Sequence, residues 1–106
     1  MMLDFTKSAR QVFNHIRGLS PVPLAFSSVN GKTVKIVSAS IACENGNCGL
    51  PGKVIQTSSK GFTVACGEGS ILVTVVVPEG RKKMDASAFV NGRGIALGDI
   101  LGFENN

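Results

Sequence analysis

The 106-residue sequence contains no tryptophan, no tyrosine, a single histidine and only three cysteines. Each shortage narrows what the chain can do. Small β domains that bind single strands stack bases on exposed aromatic rings, at about 1–3 kcal/mol per base, and here six phenylalanines are the only rings. General acid–base chemistry would have to rest on His15, since the three aspartates and four glutamates sit in no catalytic motif. His15 lies at the edge of an apolar helical stripe, a setting for a packing or surface histidine. Three cysteines form no paired framework, and with no export signal they read as reduced thiols. Cys43 and Cys48 have a spacing that zinc can use, but a closed site needs four ligands. Cys66 and His15 stand far away in sequence, so no metal is expected. Gly67-Glu68-Gly69 lacks the continuation of a dinucleotide-binding loop and reads as a strand connection. The longest nearly unbroken apolar run, Ile71 to Val77, is seven residues with Thr74 inside it, against about 20 for a membrane-spanning helix. No membrane partner is expected. Asp4 and the polar segment 7–10 stand where a secretory signal would turn apolar, which makes the cytoplasm the expected location.

What is present describes one folded domain. Hydrophobic residues make up 43%, charged residues 17%, and the mean hydropathy is +0.24. A chain of this size buries roughly 60–70% of its unfolded surface. Ala9, Val12, Phe13 and Ile16 recur at helical spacing. Thr6 is the expected cap and Gly18 the expected stop, giving a helix over 6–18. Ser20-Pro21-Val22-Pro23 cannot stay helical, because each proline lacks an amide hydrogen, so 19–23 reads as a rigid elbow. From 24 to 103 short β-favouring runs alternate with glycine-rich turns. Asn30-Gly31 predicts a two-residue hairpin. Within Lys32 to Cys43 the apolar phase slips from even positions (Val34, Ile36) to odd ones (Val37, Ala39, Ile41), which predicts a β-bulge or sharp bend. Asp85 is the expected cap of a short helix carrying Ala86, Phe89 and Val90 and ended by Gly92, and Ile95 to Leu101 supplies an expected last strand. The fold class is mainly β: a small OB-like barrel of five to six strands with an N-terminal helix and one short internal helix.

Eleven lysines and arginines against seven acidic residues give a net charge of +4, and their placement matters more than the sum. Lys7, Arg10 and Arg17 share one helix face with no acidic residue between 7 and 17, whereas a merely solvated helix interleaves both signs. Arg81-Lys82-Lys83 follows the turn Pro78-Glu79-Gly80, where long side chains can reach phosphates. Lys32 and Lys35 lie in the first long strand, with Lys35 opposite the Val34 and Ile36 face. Phe13, Phe26, Phe62 and Phe89 fall at positions the periodicity assigns to the core. Cation-to-phosphate contact with a folded RNA, recognised by shape, therefore fits better than base-by-base stacking.

The order of segments resembles the C-terminal domain of methionyl-tRNA formyltransferase. The likeness runs from Asp4-Phe5-Thr6-Lys7-Ser8-Ala9 and the elbow Arg17 to Phe26 through Asn30-Gly31-Lys32, Gly49-Leu50-Pro51-Gly52-Lys53-Val54 and Val64 to Gly69. It continues through Pro78 to Met84 to Phe89, Gly92, Gly98-Asp99 and Leu101. At the elbow the chain departs from the family, with Ser20 and Val22 in place of an asparagine and a tryptophan. The resemblance implies an OB-like accessory domain that helps hold initiator Met-tRNA. A separate N-terminal formyltransferase domain would then move the formyl group from 10-formyltetrahydrofolate to the methionyl amino group. The Asn, His and Asp constellation of that catalytic domain has no counterpart here, so neither catalysis nor a cofactor is expected in this chain by itself. By position, Lys7, Arg10, Arg17, Lys32, Lys35, Arg81, Lys82 and Lys83 are the implied tRNA-facing groups. The alternative is a structural or interaction module of a related folate or sugar-nucleotide formyltransferase with no RNA role.

Overall fold

Ser8 opens the first helix of the computed structural model, which describes residues 3–19, 25–29 and 31–101. The Ser8 Oγ accepts the Gln11 N–H at 3.2 Å, and the Gln11 Oε1 accepts the Ser8 N–H at 3.2 Å. This reciprocal pair satisfies amide donors that a helix start leaves open. Helix α1 then runs Ala9–Leu19 and buries Ala9, Val12 and Ile16. It begins later than the expected Thr6, because the Thr6 hydroxyl and amide both donate to Asp4 Oδ1. The serine two residues on takes the cap. The expected elbow from Ser20 to Pro23 lies outside the described residues.

The chain is mainly β. The strands are β1 (Ala25–Val29), β2 (Lys32–Cys43), β3 (Val54–Ser58), β4 (Gly61–Ala65), β5 (Ser70–Pro78) and β6 (Met84–Asp85), followed by helix α2 (Ala86–Asn91). They form one antiparallel sheet in the order β1-β2-β5-β4-β3, with β6 added to β5. Among the described residues no pairing joins β1 to β3, so the sheet is barrel-like but not closed. Val29 pairs with Lys32 across a two-residue connection, with Gly31 at φ 80°, as the hairpin reading required; Asn30 itself is outside the described residues. The expected irregularity in β2 is there: its register against β5 shifts between Ile36 and Ser38 and again between Ser38 and Ala39. Val34 and Ile36 are buried before the shift, while the odd-numbered Val37, Ala39 and Ile41 are half-buried through and beyond it.

The expected last strand, Ile95 to Leu101, is reduced to a single bridge between Lys53 and Ile100. Asp99 is the cause. Its Oδ2 accepts the Ala96 N–H at 2.9 Å and its own N–H donates to the Ala96 carbonyl at 3.0 Å, which folds the segment into a turn. That turn still hangs on the start of β3 through Val54 N–H to the Asp99 carbonyl, 2.8 Å, and Leu101 N–H to the Gly52 carbonyl, 2.7 Å. Asp85 does occupy the N-cap of α2, in extended conformation, but its side chain makes no capping hydrogen bond.

Helix α1 packs on β2, and α2 packs on β4 and β5. Strand β4 is buried at every residue, and with Val34, Ile36, Val54, Ile71, Val73 and Val76 it forms the centre of the core. Phe62 and Phe89 are buried as expected, whereas Phe13 and Phe26 are only half-buried. The Gly67 N–H donates to the carbonyls of Phe5 and Lys7 at 2.8 and 2.9 Å, and the Ala9 N–H donates to the Glu68 carbonyl at 2.7 Å. A Cβ at Gly67 would overlap the Thr6 carbonyl oxygen, so this close approach needs glycine. No helix among the described residues is long and apolar enough to cross a membrane.

All three cysteines are free, with Cys43 exposed, Cys48 half-buried and Cys66 buried. Burial, with a smaller contribution from Cys48, pushes the Cys66 thiol up to about 12. Since the thiolate is the nucleophile, a thiol reagent at pH 8 should label Cys43 in the native protein and Cys66 only on unfolding; equal rates at the two positions would contradict the burial. Ser8→Ala should cost about 1 kcal/mol and lower Tm by roughly 4–8 °C, measured by thermal denaturation. Thr6→Ala should cost under about 0.5 kcal/mol.

Candidate nucleic-acid interface

The antiparallel pairing of β2 with β5 sets Val34 opposite Pro78 and Lys35 opposite Val77. The start of β2 therefore lies against the turn that leaves β5. That turn is tight: the Arg81 N–H donates to the Pro78 carbonyl at 3.0 Å, with Gly80 at φ 75°, the pattern of a type II turn. It is also fastened sideways. The Glu79 N–H donates to the Thr33 carbonyl at 2.9 Å, and the Thr33 N–H donates to Glu79 Oε1 at 2.8 Å. The backbone from which Arg81 projects is thereby fixed.

Two hollows flank this turn. One, of about 240 Å³, has Lys32, Arg81 and Arg93 in its lining, over an apolar floor that includes Val34 and Phe89. The other, of about 280 Å³, is lined in part by Lys35 and Arg81. Thr33, Pro78, Glu79 and Arg81 border both, so the two join into one basic strip. Lys82 and Lys83, both exposed, continue it along the chain. Among the described residues none of these six cations has a carboxylate within ion-pair distance. Glu79 is the one acidic residue in the lining, and one of its oxygens already accepts a backbone hydrogen bond. The strip presents ammonium and guanidinium donors around one carboxylate that is already engaged by a backbone N–H, an arrangement able to hold an anion.

Arg93 escaped the sequence reading. The sequence pattern makes Gly92 the stop of the short helix and gives no role to the residue after it. Gly92 is indeed the C-cap, but at φ −82°; the left-handed residue is Arg93, at φ 65°. The Arg93 N–H donates to the Val90 carbonyl and the Gly94 N–H to the Phe89 carbonyl, each at 2.9 Å, which is a Schellman ending. Glycine is the usual occupant of that position, and a residue with a Cβ costs about 1–2 kcal/mol there. The readable signal was an arginine between two glycines immediately past a helix.

The helix cations are placed differently. Arg10 Nε lies 2.9 Å from Glu44 Oε2, and Nη2 lies 3.1 Å from Oε1. This two-pronged contact raises the guanidinium further and holds the Glu44 carboxyl below its ordinary range. Arg10 and Arg17 both lie over the Phe13 ring, 6.0 and 5.4 Å from its centre. Glu44 follows the last residue of β2 whereas Lys32 is the first, and twelve residues of strand separate the two ends. Lys7 is exposed in the turn before α1. Of the eight expected residues, the structure thus gathers Lys32, Lys35 and Arg81, with Lys82 and Lys83 adjoining, and leaves Arg10 at the other end of β2, with Arg17 beside it on Phe13.

Residues 1–94 match the formyl transferase C-terminal domain. Over 102 residues, 94% of this chain, the sequence is 42% identical to a methionyl-tRNA formyltransferase of Streptococcus equi subsp. equi (strain 4047). It is 43% identical over the same share to one of Streptococcus pyogenes serotype M49 (strain NZ131). The chain spans about a third, 32%, of the length of these relatives. With a mainly β fold and a match over nearly all of its residues, the chain belongs to the formyl transferase C-terminal domain family.

Proposed function

We propose that this domain docks tRNA for a methionyl-tRNA formyltransferase. It presents initiator Met-tRNA in the cytoplasm to an N-terminal catalytic domain that carries the formyl chemistry and its 10-formyltetrahydrofolate donor. The supporting observation is the strip in which Lys32, Lys35 and Arg81 line two adjoining hollows with no ion-paired carboxylate among the described residues. Unpaired cations fixed on strands and a tight turn attract a polyanion and keep their donors free for phosphate oxygens. The rings point the same way. Among the described residues Phe5, Phe62 and Phe89 are buried, Phe26 is half-buried and Phe13 is covered by two guanidinium groups, so bases find little there to stack on, and a folded RNA met through its backbone suits the surface. Lys7, Arg10 and Arg17 form a secondary basic face whose middle member is already neutralised by Glu44.

Fluorescence anisotropy with initiator tRNA over a salt series tests this reading. Binding should have a Kd of about 10⁻⁴ to 10⁻⁶ M near physiological salt and weaken as salt rises. Replacing Lys32, Lys35 and Arg81 together with alanine should reduce the salt slope by up to about 3, with the fold intact because all three are exposed. Arg10→Ala should leave the slope nearly unchanged. Binding that ignores salt, or none at low salt, would defeat the RNA reading and favour the interaction-module alternative.

A further inference from the structure

Arg93 stands where an uncharged glycine or asparagine would suit the backbone better, and among the described residues no hydrogen bond or ion pair uses its side chain. Its φ is 65°, and its turn is closed entirely by main-chain hydrogen bonds. Among the described residues its guanidinium has neither an ion pair nor a hydrogen-bond partner. A non-glycine residue held in this region is a reason to look for a role in binding. The space beside Arg93 is the 240 Å³ hollow, and the other cations there are Lys32 and Arg81. They come from three separate places in the sequence: the start of β2, the turn after β5 and the end of α2. Each is fixed at its own backbone, by the β1–β2 hairpin, the type II turn and the Schellman ending respectively.

The chemistry of the lining selects among anions. Two guanidinium forks and one ammonium, with the Glu79 carboxylate beside them, leave the lining net positive. A phosphodiester carries its charge on two non-bridging oxygens of a tetrahedral centre, so donors arriving from three directions can share them, whereas the two oxygens of a carboxylate lie in one plane; the pair also matches the forked donors of arginine. We propose that the hollow bounded by Lys32, Arg81 and Arg93 seats one backbone phosphate of the docked RNA, and that Arg93 fixes where along the strip the strand lies. This rests on the tRNA-docking reading and adds to it a defined contact point.

The test uses the full chain with inorganic phosphate and with initiator tRNA as separate probes, followed by amide NMR and by binding across a salt series. Phosphate and tRNA should each shift the amides of Lys32, Arg81, Arg93 and Gly94. Arg93→Asn keeps a residue that tolerates the left-handed turn. It should erase the phosphate-induced shifts, weaken tRNA binding about three- to tenfold and lower the salt slope by about one, with a Tm equal to or above that of the parent chain. Arg93→Lys should recover the slope. Binding of tRNA with the parent slope in Arg93→Asn would overturn the pocket and leave the docking reading standing. Phosphate binding through Arg93 with no tRNA binding would overturn RNA as the source of the phosphate, and the docking reading with it.

Discussion

The antiparallel pairing of β2 with β5 is the constraint on which both the core and the basic strip depend. It links residues 34–43 to residues 70–78, so it must close a long stretch of chain before any contact is gained. Alternation along the paired strands then serves two purposes. It turns Val34 and Ile36 inward to the core and Lys35 outward, and it carries the Pro78–Arg81 turn to the first residues of β2. Register shifts farther along β2 re-aim the second half of the strand and limit how much of it lies flat on the sheet. A slip of one residue at the start of the ladder would send Lys35 into the core and Val34 and Ile36 into water. The same hydrophobic demand that fixes the core therefore fixes the strip.

Charge of one sign is not uniform in what it can do. Arg10 and Glu44 meet about half-exposed, with side-chain exposures of 53% and 48%. Such a surface pair contributes little to stability and removes one cation from the count available to a polyanion. Because hydrogen bonding to Arg10 lowers the Glu44 carboxyl, the pair is fully formed above the ordinary carboxylate range and is lost as pH falls through the lowered value. Acidification frees Arg10, while the strip cations have no carboxylate partner among the described residues to lose. The contrast between the two basic faces is thus one of pairing rather than of number.

Much of this was legible along the chain. The phase slip from Val34 and Ile36 to Val37, Ala39 and Ile41 announced the β2 irregularity, since period-two alternation has no other way to change sides. Asn30-Gly31 announced the hairpin. The grouping of Lys32, Lys35 and Arg81 was legible only in part. Their types and exposure follow from local pattern, but their proximity follows from a strand pairing that no local pattern encodes. Local rules failed where side chains competed for the same backbone groups. Thr6 and Ser8 are both good caps, and the presence of Gln11 three residues after Ser8, together with the prior engagement of Thr6 by Asp4, decides between them. Asp99 turns an apolar run away from a strand by bonding to the Ala96 amide. Arg93 violates the preference for glycine at a helix end, and a reading built on preferences passes over the residue that breaks one.

The rings determine what kind of contact remains open to this surface. Phe5, Phe62 and Phe89 are buried in the core, and Phe13 lies under Arg10 and Arg17. A ring already stacked with guanidinium on its face cannot also receive a base without giving up that contact. Phe89 contributes indirectly: its ring lies so close to Gly94 that a Cβ there would overlap it. That packing is part of what sets the end of α2, and with it the position of Arg93. Among the described residues these rings serve packing and the placement of cations.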